Sequence, residues 1–323
     1  MATTYNKIYQ DTTTLPAAGA TSQFNVSNPI PQGLVQNLIL TYQGTGPAGG
    51  MTASTFATCI NSLRIVYNGD QWFNFVAPVD ETASSAGSRL GSVLQDIGGF
   101  VAENNSNTAV DVSIVIPCGI NLPANSRFEV DINYFALQAG NAMTGNFEVW
   151  VQYGTSSNAT IVGNATSFPI PAASQTMMTV AVPSYKGAKV SGIALQGPTA
   201  ADNLDKCVVQ VLGNFGMTPT YIRSASGASQ NGYKYLDTGA DSFGLVPSSF
   251  TLGYYFIPTY DLDVSSGSIT LLVTTLAGVG LENYTATPIL KLPTGGRGET
   301  TPTQTASIAT GSAKAVLRRA EDV

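Results

Sequence analysis

Residues 32–45, Gln-Gly-Leu-Val-Gln-Asn-Leu-Ile-Leu-Thr-Tyr-Gln-Gly-Thr, have a looser counterpart at 186–199, Lys-Gly-Ala-Lys-Val-Ser-Gly-Ile-Ala-Leu-Gln-Gly-Pro-Thr. Gly33 falls 154 residues before Gly187 (187 − 33), and Gln43 falls 153 before Gln196 (196 − 43), so the register holds to one residue. A Pro-containing turn precedes each copy, Pro29-Ile30-Pro31 in one and Val182-Pro183 in the other, and a Gly/Pro/Ala loop follows each. Solenoid units repeat every ~20–50 residues, so a period this long reads as a duplicated domain.

Strands flank the first copy, marked by strict alternation of apolar and polar residues. Phe128, Val130, Ile132 and Tyr134 alternate with Glu129, Asp131 and Asn133. Val110, Val112, Ile114 and Ile116 alternate with Asp111 and Ser113, and Phe147, Val149, Val151 and Tyr153 with Glu148, Trp150 and Gln152. One dry and one wet face per strand is what an antiparallel sandwich requires. Between Leu63 and Ala77, Asn68-Gly69 predicts a hairpin turn. In the second half strands are expected near 176–182, 188–195, 206–213, 250–258, 268–277 and 284–292. Helix is scarce. The best candidate is 80–97, where Asp80 and Glu81 suit the N-terminal dipole, Leu90, Val93, Leu94 and Ile97 form a stripe, and Gly98-Gly99 stop it. A shorter helical turn is expected over Thr52–Ile60.

These signals divide the chain into residues 1–153, an N-terminal unit with an N-terminal arm; 154–174, a Ser/Asn/Ala/Thr-rich connection; 175–292, a second unit; and 293–323, a Gly/Thr/Pro/Ser-rich strap. The last stretch, Lys314–Val323, reads as a short terminal helix too short to stand alone.

Composition narrows function. Of 323 residues 43% are hydrophobic and only 11% charged, against roughly 25% in ordinary soluble domains. A chain so poor in Lys, Glu and Arg is expected to hide much of its outside against partners. Net charge is −6, all of it in residues 1–150, which carry four Lys/Arg against ten Asp/Glu; residues 151–323 carry ten of each. Neither half offers the basic surface that neutralises phosphates, so sequence-specific nucleic-acid binding is not expected. The N-terminus lacks the apolar core of a signal peptide, and no window reaches the ~18 apolar residues of a membrane span. Synthesis in a cytoplasm is the expectation.

The chain contains no histidine. Ser-His-Asp and Cys-His catalysis, His-metal sites and His proton shuttles are therefore absent together. Cys59, Cys118 and Cys207 have no regular spacing and read as small buried hydrophobes. Gly44-Thr-Gly-Pro-Ala-Gly49 fits a dinucleotide fingerprint by letter, but no βα alternation follows, so it reads as a loop between strands. The carboxylate pairs Glu129/Asp131, Asp202/Asp205 and Asp261/Asp263 read mainly as polar surface, with oxygen-ligand calcium binding at Asp261 and Asp263, or at Asp202 and Asp205, as the sharper alternative. Lys314, Arg318 and Arg319 form the one basic cluster, suited either to phosphates on an inner surface or to solubility. No enzyme activity and no cofactor are expected.

Taken together, two successive all-β units, few charges, the paired strands Leu34–Tyr42 and Lys189–Leu195, and a single helix after a hairpin resemble the double jelly-roll major capsid proteins of tailless icosahedral viruses, small membrane-containing bacteriophages above all. The resemblance covers roughly residues 20–292. It implies two tandem eight-stranded antiparallel jelly-roll barrels with few short helices, and a homotrimer whose six barrels form a pseudo-hexagonal capsomer. It further implies neighbouring capsomers, penton or minor capsid proteins and internal membrane head groups as partners, a place in the virion, and a terminus facing inward. The alternative is a non-catalytic two-domain β-sandwich binding or adhesin-like surface protein, in which Trp72, Trp150, Tyr254 and Tyr255 would stack on sugars.

Overall fold

The computed structural model describes residues 4–15, 21–26, 30–45, 60–77, 89–104, 109–134, 143–154, 160–171, 175–183, 188–197, 203–211, 217–223, 233–234, 254–263, 267–276 and 280–292. Its first half contains β1 (Thr4–Leu15), β2 (Thr21–Val26), β3 (Gly33–Thr45), β4 (Ile60–Tyr67), β5 (Asp70–Val76), α1 (Arg89–Asp96), β6 (Phe100–Glu103), β7 (Ala109–Leu122), β8 (Phe128–Tyr134) and β9 (Met143–Tyr153). One sheet runs β1-β9-β3-β7-β6 and the facing sheet β2-β8-β4-β5. With the accessory β6 set aside, the first strand pairs with the last, the second with the second-last, the third with the third-last, and the middle two with each other. That is a long antiparallel hairpin rolled up into two sheets, a jelly roll.

The second half repeats the scheme. It contains β10 (Thr160–Val162), β11 (Thr166–Ile170), β12 (Gln175–Ala181), β13 (Lys189–Gln196), β14 (Leu204–Val211), β15 (Met217–Arg223), β16 (Tyr233–Lys234), β17 (Tyr254–Leu262), β18 (Ser268–Thr275) and β19 (Glu282–Lys291). The broken first strand, β10 with β11, pairs with β19, β12 with β18, β13 with β17, and β14 with β15. The sheets are β10-β19-β13-β17 and β12-β18-β14-β15-β16. The repeated sequence thus lies on β3 and β13, the third strand of each roll. Each is hydrogen-bonded between its roll's last and third-last strands. Each also carries a register break near its start, between Val35 and Asn37 in one and between Val190 and Gly192 in the other.

Local chemistry explains the elements. Asn68 and Gly69 take φ of 47° and 92°, the left-handed conformations of a two-residue hairpin loop that asparagine and glycine tolerate. Alternation places Leu38, Leu40, Val149, Val151 and Ile114 on the inner face of one sheet, against Leu63, Ile65, Val130 and Ile132 of the other. Each such side chain, buried to 2% exposure or less, contributes roughly 1.5–3 kcal/mol relative to an exposed position. In roll 2, Ile193, Leu195 and Ile257 meet Val180, Leu271 and Val273 in the same way.

Three expectations change. Residues 154–174 are not merely a connection, because β10 and β11 lie within them and supply the first strand of roll 2. Their Ser/Thr-rich composition disguises an edge strand that pairs on one side only. The N-terminal residues Thr4–Leu15 are likewise no arm: β1 pairs with β9 along its whole length. Of the expected helix over 80–97, α1 spans Arg89–Asp96 and residues 80–88 lie outside the described residues. Ile60, the expected end of a helical turn, instead opens β4, and the rest of 52–60 lies outside the described residues. So does the strap over 293–323. No described helix is long and apolar enough to cross a membrane.

Candidate assembly faces

Most of the sequence-derived site residues lie outside the described residues. Asp263 is exposed just beyond β17, while the side chain of Asp261 and all of Asp202 lie outside the described residues. Lys314, Arg318 and Arg319 lie outside them too. Glu129 and Asp131 share a face of β8 but are bridged by Arg64 of β4, whose Nη1 sits 3.7 Å from Glu129 and 2.8 Å from Asp131. Carboxylates held by a guanidinium are surface ion pairs, and exposed pairs contribute little to stability. No group of three or more His, Cys, Asp or Glu residues able to hold a metal occurs among the described residues. Gly44 is part of β3 and stands opposite Gly145 of β9, so close that an added Cβ would meet its Cα at 2.7 Å; residues 46–49 of the glycine motif lie outside the described residues. Cys118 and Cys207 are buried, and burial pushes both thiols up to about 12. Trp72, Tyr254 and Tyr255 are buried as well, which withdraws three of the four aromatics considered for sugar stacking.

What the structure does bring together is the junction between the rolls. Gln71 and Asn74 of β5 donate from their side-chain amides to Asn164 Oδ1, between β10 and β11, at 2.5 and 3.3 Å. Gln196 Nε2, at the end of β13, donates to the Val76 carbonyl at the end of β5 at 3.3 Å. The Tyr254 hydroxyl of β17 donates to Asp96 Oδ2, at the C-terminal end of α1. Burial pushes the Asp96 carboxyl up to about 7, against the downward pull of the Tyr254 bond. The fifth-strand side of roll 1, with α1, therefore rests on the first-strand sheet of roll 2. Sequence reading missed this junction because its polar residues are scattered over strands, a loop and a helix end with no motif; the repeated Gln43/Gln196 was the only pointer.

The face of roll 2 used here follows from its pairing. Gln196 and Tyr254 are register partners, so period-two alternation puts Ala194, Phe256, Thr285 and Thr287 on the same side. Gln196 and Thr285 are 0% exposed and Thr287 1%. The Phe256 ring lies over Gly192, where an added Cβ would meet it at 2.2 Å. Ser167 and Thr285 join hydroxyls at 3.1 Å across β11 and β19. The middle of this sheet, on β13 and β19, is buried on both faces, while Ser167 and Pro169 on β11 are exposed.

Roll 1 carries the same sheet with the opposite finish. Its outward residues on β3 are Asn37, Ile39, Thr41 and Gln43, facing away from the buried Leu38, Leu40 and Tyr42. In register beside Ile39 lie Trp150 of β9 and Val115 of β7, then Phe100 of β6. Phe100 is 54% exposed. Around this apolar row sit polar pairs: Lys7 to Glu148 at 3.2 Å, Trp150 Nε1 donating to Glu148 at 2.8 Å, Asn37 donating to Gln152 at 2.7 Å and Gln43 donating to Asp111 at 3.2 Å. Lys7 Nζ lies 5.5 Å from the Trp150 ring centroid, within cation–π range.

No family model and no curated protein matches the chain. Among solved structures, the major capsid protein P2 of bacteriophage PM2 superposes with a TM-score of 0.49 at 12% identity, covering 92% of this chain and 99% of that one. PBCV-1 VP54, fitted into a reconstruction of the virophage Sputnik, gives 0.46 at 11% identity over 91% and 96%. Identities this low concern fold alone. The strand order, read from this chain's own pairing, makes it a double jelly roll.

Proposed function

We propose that the chain is a major capsid protein: three copies associate so that six rolls form a pseudo-hexagonal capsomer, and capsomers tile an icosahedral virion shell. The observation that carries this reading is the duplication itself, two rolls in one chain whose principal strands pair in the same order, joined through unlike faces. A contact between unlike faces is heterologous, and repeated between equivalent units it closes into a ring. A low charge fraction of 11% agrees with flanks that are covered in an assembly. Rolled sheets leave few free edges, which suits dense packing without strand-to-strand aggregation. On this reading Lys314, Arg318 and Arg319 face the particle interior, toward phosphates of an internal membrane or the genome, and penton or minor capsid proteins fill the remaining positions. Size-exclusion chromatography with light scattering tests the reading. A species of three 33.6-kDa chains is expected, with hexagonal tiles in negative stain; a compact monomer at every concentration would refute it.

A further inference from the structure

We propose that the outward face of the β1-β9-β3-β7-β6 sheet is where roll 2 of a second copy docks, repeating between chains the junction that joins the rolls within one. The inference rests on the capsomer reading and assigns its contact to residues. Each roll has two unlike faces: the outer side of its first-strand sheet, and the side formed by its fifth strand and the segment that follows. Within the chain, the fifth-strand side of roll 1 covers the first-strand sheet of roll 2 through Val76, Asp96, Gln71 and Asn74. Among the described residues the first-strand sheet of roll 1 has no such partner: Ile39, Thr41 and Trp150 are half-buried and Phe100 is exposed, with Val115 buried between them.

The uncovered sheet can be aligned with the covered one in two ways. The sequence repeat sets Gln43 at the position of Gln196, while the strand bulges set Thr41 there. The two alignments differ by two residues, which in a strand leaves the side chains on the same face. Either way the contact centres on Ile39, Thr41 and Gln43, flanked by Trp150, Val115 and Phe100. An aromatic and aliphatic centre inside a ring of charged and amide groups is the composition of an interface that must remain soluble before it is covered. The in-chain counterpart is lined by Ala194, Thr285, Thr287 and Gly192, and its charge, Lys189 and Lys291, sits at the exposed end of β13 and β19.

Two tryptophans make the test direct. Trp72 is buried at 4% exposure in the roll 1 core, whereas Trp150 lies on the proposed face. Diluting the wild-type protein until the oligomer dissociates should red-shift emission and raise acrylamide quenching of Trp150, measured in the Trp72→Phe background. Thr41→Arg should raise the concentration needed for association at least 10-fold, while Met177→Glu, on β12 at 67% exposure, should leave it unchanged. If Thr41→Arg fails to fold by circular dichroism, the wild-type quenching decides. Equal Trp150 quenching in oligomer and monomer, or a folded Thr41→Arg that assembles as the wild type does, overturns the assignment while leaving the capsomer reading intact. A wild-type chain that never associates overturns both.

Discussion

Asp96 gives the junction between the rolls a dependence on pH whose sign can be worked out. Its carboxyl closes α1, where the helix dipole already disfavours negative charge and the last turn holds no basic residue. α1 packs against β6 and β17; their titratable residues with described side chains are Glu103, Tyr254 and Tyr255, none of them cationic. Burial raises the carboxyl from 3.8 to about 7. At about 1.4 kcal/mol per pH unit, ionising it in the folded chain is opposed by roughly 4 kcal/mol. A carboxyl with a raised folded-state pKa contributes stability that is fully present below about 3.8 and is lost as pH rises toward 7. Stability should therefore fall between pH 4 and 7 and level off above. Asp96→Asn keeps an acceptor for Tyr254 and removes the ionisation. Urea unfolding at pH 4.5 and 8 should find the variant close to wild type at the lower pH and up to about 4 kcal/mol more stable at the higher. Tyr254→Phe should move the wild-type fall to higher pH, since the tyrosine bond favours the charged form. A difference between Asp96→Asn and wild type that is the same at both pH values would refute the reasoning.

Two further outcomes follow from packing. Gly145→Ala would put a Cβ 2.3 Å from the Gln43 carbonyl and 2.6 Å from the Gly44 Cα, so β9 must move off β3; a cost of about 1–3 kcal/mol is expected, read as a lower melting temperature. Cys118 and Cys207, buried with thiols pushed up to about 12, should resist a thiol-specific reagent in the folded chain and react once urea unfolds it; rapid modification of both in the native protein would contradict their burial.

Much of the fold was legible, and the legible parts share a cause. β7, β8 and β9 announce themselves because one face meets the core and the other meets water, so burial alternates along the chain: Val110 buried, Asp111 half-buried, Val112 buried. The Asn68-Gly69 turn was legible because the two-residue hairpin requires left-handed residues. β19 departs from alternation because both its faces are covered, and its pattern from Tyr284 to Leu290 is buried throughout. β10 and β11 were hidden because a short, broken edge strand needs neither a continuous apolar face nor a turn residue at fixed spacing. The junction was illegible for a different reason. Gln71, Asn74, Asn164 and Gln196 are ordinary strand and loop residues, and only the third dimension brings their amides together.

The contrast between the two first-strand sheets carries the last step. Duplication alone would leave both sheets with the same outer surface, yet roll 1 sets Ile39 where roll 2 has Ala194 or Gly192, and adds Phe100 on β6, a strand that the described sheet of roll 2 lacks. A face sealed as the chain folds never meets water, so Ala194 and Thr287 are free to be small, and Gly192 leaves room for the Phe256 ring of its own roll. A face covered only when copies meet must stay soluble beforehand and still gain energy on contact. Lys7, Glu148, Asn37 and Gln152 serve the first need by pairing with neighbours on their own sheet, and the apolar row between them serves the second. The uneven charge fits the same division: the excess of −6 lies wholly in residues 1–150, the half whose sheet is uncovered, while the half with the sealed sheet is balanced at ten against ten. On the proposed scheme, divergence of the two rolls records which of two equivalent contacts forms within a chain and which forms between chains.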